Sequence, residues 1–334
     1  MKATAALPAA RRSSNESFAT DSFRVETILV ATDLSDDSLR ALAYVLPLAE
    51  RFEAAVHLIH VYDPEVQHFL SPGELAGHWQ LEMRRRFSRV ITPDECHIVR
   101  GRPWQEITAT AEELKADLIV TATHGRTGLK HFLLGSTAEK IVRHAHCPVL
   151  VVRDHAGAGR IPRTILVPVD FSDCAEEGAR YASRFASALG ADLELMHVVA
   201  PAFVGTDVFT AAPELMQVTQ AERIKAEDEL ETMINFLPLV NINAESEVAI
   251  GTPVEKLVER TRANNIDLVV TSTHGDSALR HVLLGSVAEE LVRRAHCPVL
   301  VVPGHKRPAP ERQPLWEPSL EFGDAWRYGA LGTI

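Results

Sequence analysis

The chain repeats itself at a distance that only whole domains explain. Residues 117–152 read DLIVTATHGRTGLKHFLLGSTAEKIVRHAHCPVLVV, and residues 267–302 read DLVVTSTHGDSALRHVLLGSVAEELVRRAHCPVLVV. Between 116–153 and 266–303, 25 of 38 aligned positions are identical at an offset of 150. An upstream block, ILVATDLSDDSLRALAYVLPLAERFEAAVHLIHV from Ile28, returns as ILVPVDFSDCAEEGARYASRFASALGADLELMHV from Ile165, at an offset of 137. The second copy therefore carries 13 more residues between its second and third predicted strands. Solenoid units run about 20–50 residues, so a period this long means two complete domains. Any functional site is expected in duplicate, and differences between the copies become informative.

Each copy alternates apolar runs with amphipathic stretches. In the first, Thr27–Ala31, Val56–Val61, His97–Val99, Leu118–Thr121 and Val149–Val152 read as strands. Helical spacing runs over Ser35–Phe52, through Leu39, Leu42, Val45, Leu46 and Ala49. Helices are also predicted over 74–90, Pro103–Leu114 with proline at its start, and Thr137 to about His144. The second copy repeats the scheme, with a helix over Ala221–Met233 in its longer connection. Near-continuous Ile/Leu/Val runs fit strands buried on both faces, as in parallel sheets. The expected fold is α/β: two tandem doubly wound five-stranded parallel-sheet domains, whose ligands sit at the carboxyl ends of strands. The boundaries predicted are a disordered tail at 1–22, domains at 23–155 and 156–305, and a C-terminal tail at 306–334. Residues 153–163, RDHAGAGRIPR, join the domains. The C-terminal tail ends LWEPSLEFGDAWRYGALGTI, whose aromatics are able to dock on a domain or a partner.

A net charge of -11 argues against broad nucleic-acid binding, which neutralises phosphates with Lys and Arg. No apolar run approaches the roughly 20 residues that span a bilayer. At the amino end two arginines follow the Ala-rich stretch, the wrong order for a signal peptide. Four cysteines in so long a chain do not make a disulfide framework, so a cytoplasmic location is expected. Cys147 and Cys297, each before Pro and a strand, read as small buried hydrophobes.

Three elements converge if the sheet is wound this way. Asp33 and Asp170 end the first strand of each copy, before a Ser that opens a helix. Such an Asp either caps a turn or accepts hydrogen bonds from a ribose or base, and position alone favours neither reading. The loop after the fourth strand carries Thr123-His124-Gly125 and Thr273-His274-Gly275, followed after nine residues by Gly135-Ser136 and Gly285-Ser286. Glycine admits close approach of a ligand, and a helix N-terminus offers free N–H groups and partial positive charge to a phosphate. Ser136 with Glu139, and Ser286 with Glu289, have the spacing of a capping box. Finally, His60-Val61 and His197-Val198 close the second strand, where a backbone edge can meet an adenine.

These residues together resemble the universal stress protein family in its tandem two-domain form, over roughly residues 23–303. The marks are ATDLS and PVDFS at the first strand, and THG-x9-GS followed by HCPVLVV. The resemblance implies an adenine-nucleotide alpha-hydrolase-like sheet of strand order 3-2-1-4-5, with ATP, accompanied by Mg²⁺, as ligand. It also implies pairing of the last strands, 149–152 with 299–302, into an intramolecular pseudo-dimer, with a further homodimer possible; neither nucleic acid nor membrane is an expected partner. ATP-binding members carry Gly-x2-Gly-x9-Gly-Ser/Thr in this loop. The second and third glycines map to Gly125 and Gly135, and to Gly275 and Gly285. At the first glycine stand Ala122 and Ser272, each with a Cβ expected to point at the meeting of backbone and nucleotide. The implied site is Asp33, Val61, Ala122, Thr123, His124, Gly125, Arg126, Gly135, Ser136 and Thr137. A weaker second site comprises Asp170, Val198, Ser272, Thr273, His274, Gly275, Gly285, Ser286 and Val287.

The copies diverge next to the glycines. The first has Arg126-Thr127-Gly128 and the second Asp276-Ser277-Ala278. A cation beside a polyphosphate attracts it, and a carboxylate repels it by about 1 kcal/mol or more at partly exposed contact distances. The first copy is therefore expected to bind nucleotide better. No catalytic constellation stands out; His124 is a candidate general base for slow ATP hydrolysis, and an empty-sited interaction scaffold is the rival reading. His144-Ala145-His146-Cys147 has the look of a ligand run, but i and i+2 positions do not share a helix face, and no metal is expected.

Overall fold

The unbroken apolar runs become strands because both of their faces are covered. The computed structural model of the chain describes residues 23–62, 77–79, 81–83, 85, 92, 95–123, 135–153, 160–200, 212–263, 265–273 and 284–304. The two expected tails lie outside these residues. The first half contributes strands β1 (Thr27–Ala31), β2 (Ala55–Tyr62), β3 (Cys96–Arg100), β4 (Leu118–Ala122) and β5 (Val149–Val152). Its helices are α1 (Asp36–Phe52), α2 (Pro103–Glu113) and α3 (Ser136–His144). The second half contributes β6 (Thr164–Pro168), β7 (Asp192–Val199), β8 (Ala244–Ile250), β9 (Leu268–Ser272) and β10 (Val299–Val302). Its helices are α4 (Asp173–Leu189), α5 (Ala212–Phe236), α6 (Pro253–Arg262) and α7 (Ser286–Arg294).

Within each half the strands are parallel in the order 3-2-1-4-5, as the sequence predicts. The longer second connection holds α5, which extends beyond the predicted Ala221–Met233 at both ends. Successive strand residues point to opposite faces. Ile28 and Val30 enter one core with α1 and α4, whereas Leu29 enters the other, under α3 and α7. Each core draws residues from both halves, so one hydrophobic layer covers each face of a single ten-stranded sheet.

The seam of that sheet is β5 against β10, the one antiparallel pairing described. Leu150 faces Leu300, Val149 faces Val301 and Val151 faces Val299, so equivalent residues meet across a local twofold. All eight seam residues are buried. Fully burying one such side chain is worth about 1.5–3 kcal/mol, and an uncovered apolar edge invites aggregation. Arg143 of α3 bridges Glu139 (2.7 Å) and reaches Glu289 of α7 (3.7 Å) across the seam. Arg153 donates to the carbonyls of Val292 and Arg293 at the end of α7, where a cation suits the helix dipole.

Other repeated residues are structural. Asp117 Oδ2 accepts the amides of Glu26 (2.7 Å) and Thr27 (3.0 Å), and Asp267 does the same for Arg163 and Thr164. Burial, with Asp117 or Asp267 nearby, pushes the Cys147 and Cys297 thiols up to about 12, which leaves them unreactive core residues. Among the described residues no helix is long and apolar enough to cross a membrane.

Candidate nucleotide cleft

Each half builds its site where the first and fourth strands end. After β1 the chain turns through Leu34, held at φ 64°; after β6 it turns through Phe171, at φ 61°. Asp33 Oδ1 accepts the Ser35 amide (3.0 Å) and its hydroxyl, and Asp170 Oδ1 accepts the Ser172 amide (3.1 Å) and hydroxyl (2.6 Å). Ser35 and Ser172 then cap α1 and α4. Each carboxylate is thus fixed by its own turn at the sheet edge. His60 and His197 clamp the same turn: Nδ1–H donates to the carbonyl of Thr32 (2.8 Å) or Val169 (2.7 Å). Since a carbonyl only accepts, the tautomer at Nδ1 is set.

The glycine before the helix has a local cause. Gly135 N–H donates to the Thr123 carbonyl (2.9 Å), and Gly285 to that of Thr273 (2.7 Å). A Cβ on Gly135 would lie 3.1 Å from the Thr123 oxygen. This clasp makes glycine, not serine, the helix N-cap, with no side-chain cap in either half. The capping box expected at Ser136 and Ser286 is therefore not formed. Glu139 instead binds Arg143, and Glu289 binds Arg293 (2.7 Å). Among the described residues the N-cap supplies no side-chain acceptor to the first-turn amides, the condition in which a helix end holds an anion.

The second half shows the resulting cleft, a cavity of 280 Å³. It gathers Asp170, Val198, Ser272, Gly285, Ser286 and Val287, six of the nine residues expected there. Thr273 stands behind it, buried, its hydroxyl accepting the Gly304 amide (3.2 Å). In the first half Asp33, Val61, Ala122, Thr123, Gly135, Ser136 and Thr137 occupy the equivalent positions. His124, Gly125, Arg126, His274 and Gly275 lie outside the described residues.

The first-glycine position differs from expectation. Ser272 Cβ is turned toward α4, 3.5 Å from where a Cβ on Gly178 would stand, and Ala122 packs into the core on the same face. In the first half the partner position is Ala41, fully buried. The halves thus pair Ala122 with Ala41 and Ser272 with Gly178, a larger residue opposite a smaller one. The replacing side chain belongs to the layer between sheet and helix, because strand alternation sends residue 272 to that face.

Sequence reasoning missed the apolar wall: Met196, Pro253 and Leu257. The repeated Gly-x-Pro, Gly101-Arg102-Pro103 and Gly251-Thr252-Pro253, is the available signal. Both glycines hold positive φ, 153° and 148°, at the turn that starts α2 or α6 beside the site. Among the described residues no cluster of three or more His, Cys, Asp or Glu is arranged to hold a metal. His144 stacks on Trp104 with ring centroids 4.6 Å apart, while Cys147 is buried, so the two do not share a site.

Oriented amides, a fixed carboxylate and an apolar wall stand together at the carboxyl edge of a doubly wound α/β sheet, the place where such folds carry their ligands. The Universal stress protein family model matches residues 24–153 and again 162–303, and the chain belongs to that family. A universal stress protein of Methanocaldococcus jannaschii is 40% identical over 141 residues, covering 38% of this chain and 81% of its own. One of Mycobacterium tuberculosis is 27% identical over 295 residues, 82% of this chain and 95% of its own. A solved universal stress protein of Archaeoglobus fulgidus has a TM-score of 0.61 at 19% identity, covering 85% of this chain and 100% of its own, a likeness of fold.

Proposed function

We propose that the protein is a cytoplasmic stress-response module that binds an adenine nucleotide, ATP with its Mg²⁺, at the carboxyl edge of each half. The single observation that carries this reading is the second-half cleft, where Asp170 and the open end of α7 line one cavity. In this reading the first-turn amides of α3 and α7 seat phosphates. Asp33 and Asp170 accept from ribose hydroxyls. Val61 and Val198, with the apolar wall, receive the base. The turn of Ser272 toward Gly178 supports it too, since the missing first glycine then removes little room from the cleft.

The first half is the tighter site, on the strength of Arg126 against Asp276. Any hydrolysis through His124 is slow, and the protein acts by binding. Calorimetry on the full chain tests this: two sites are expected, differing at least about tenfold in Kd, an energy near 1.4 kcal/mol. Arg126→Ala weakens the tighter site, and Asp276→Arg strengthens the weaker. Unchanged turnover in His124→Ala removes the hydrolytic role. Absence of binding in a folded protein would hand the function to the scaffold reading.

A further inference from the structure

A second cavity, of 430 Å³, opens between α4 and α5, separated from the nucleotide cleft by Phe171 on His197. Its apolar lining is Phe171, Met233, Phe236 and Leu237, and its charged lining mixes Arg180 and Lys225 with Glu176, Asp228 and Glu229. Phe236 is 74% exposed, an unusual state for so large an apolar residue.

The first half fills the corresponding space itself. There Leu34, equivalent to Phe171, is buried in one cluster with Met83 and Trp79, and Trp79 packs on His60 at 4.6 Å between ring centroids. In the second half Phe171 itself packs on His197, also at 4.6 Å. Met233 matches Met83 at the offset of 150, but four residues earlier Glu229 stands where the first half has Trp79. The second half lacks the tryptophan and has a groove.

The described chain ends at that groove. Its last described residue, Gly304, lies against the first turn of α4: a Cβ there would sit 2.9 Å from Cys174 Sγ. Cys174 is three residues after Phe171 and two before Glu176, both of which line the groove. The described chain therefore ends beside it, with residues 305–334 still to follow. The ten residues before Leu315 reach up to about 35 Å when extended, whereas Phe171 to Arg180 spans only about 14 Å of helix. Beyond them come Leu315, Trp316, Leu320, Phe322, Trp326 and Tyr328.

We propose that the aromatic segment 315–328 docks in the α4–α5 groove, against Phe171, Met233 and Phe236, while Phe171 covers His197 as Trp79 covers His60 in the first half. Hydrogen exchange on the full chain tests the contact from both sides. Trp316→Ala/Trp326→Ala should speed exchange at 224–237 at least about fivefold, with strands β1–β5 unchanged. Phe236→Asp should speed exchange at 315–328 while strands β1–β5 keep their native rates. Two results would overturn the proposal: a wild-type tail exchanging as fast as a free peptide, or α5 indifferent to the tryptophan changes. Protection at 224–237 that rises with protein concentration would assign the groove to a second copy instead, and equally overturn it.

Discussion

Lowering the pH loads one contact of the first half and spares its counterpart in the second. His57 on β2 meets His97 on β3, Nδ1 to Nε2, at 3.1 Å. One nitrogen must donate and the other accept, so at least one imidazole is neutral. Burial, and then the adjacent His57, hold the His97 pKa below 6.5, with Glu113 opposing. At the equivalent positions the second half has Glu194 and Glu247, with Arg260 in place of Thr110. Arg260 forks onto Glu194, Nε at 2.5 Å from one oxygen and a terminal nitrogen on the other, and its Nε lies 3.5 Å from Glu247.

The sign follows from linkage. A base whose folded pKa is depressed is protonated first in the unfolded chain, which then binds the extra proton. Stability from His97 is whole above about pH 6.5 and drains as pH falls toward the folded value, by up to about 1.4 kcal/mol per pH unit. Urea midpoints of wild type and His97→Gln between about pH 7.5 and 5 isolate the effect of the His57–His97 pair, because titrating groups that do not contact it cancel in the difference. The difference should be flat above 6.5 and shift against the wild type below it. Transplanting the second-half solution, His57→Glu/His97→Glu/Thr110→Arg, should abolish the slope as well. Parallel curves for wild type and His97→Gln from 6.5 down to 5 would refute the reasoning.

Three further outcomes are expected. Arg260→Ala strands the buried Glu194 carboxylate and should cost about 3 kcal/mol in denaturant unfolding, while Glu194→Leu/Arg260→Leu should cost clearly less. Gly178→Ala meets Ser272 at 3.5 Å, an ordinary contact, and removes a glycine from the interior of α4; unfolding free energy should rise by about 0.5–1 kcal/mol. Among the described residues the buried Tyr44 hydroxyl has no hydrogen-bond partner, and burial drives its pKa far above the usual phenol value. Tyr44→Phe should therefore raise the thermal midpoint, with a gain of about 1 kcal/mol.

The strands and most helices could be read in the sequence because burial on both faces writes continuous Ile/Leu/Val runs and helices write a 3.6-residue period. Thr27–Ala31 and Val149–Val152 stand where the runs place them. The start of α5 did not show, since its first residues lack a periodic apolar face. Of the candidate site, the positions were legible and the directions were not. Where Ser272 points depends on Gly178, 94 residues earlier in the chain, across the sheet. The Ser136 capping box failed for a similar reason: the spacing is local, but the clasp from Thr123 that moves the helix start is made across a loop. Met196 and Leu257 are apolar whether they end up in a core or in the wall of a cleft, so nothing in their identity marked them.

The antiparallel seam decides how the two sites face the world. Strands within each half run parallel, so reversing direction at β5 and β10 sends the carboxyl edge of one half opposite to that of the other. The two clefts open at opposite margins of the sheet, each to its own solvent. One flat surface cannot cover both, whereas two partners can attach at once without colliding. The halves touch through the eight buried residues of the seam, the Arg143–Glu289 and Arg153–α7 contacts beside it, and the rings of Phe23 and Phe52 against Phe185, so several routes can couple the two margins. The repeated sequence thus yields one continuous sheet with two opposed carboxyl margins rather than two margins side by side.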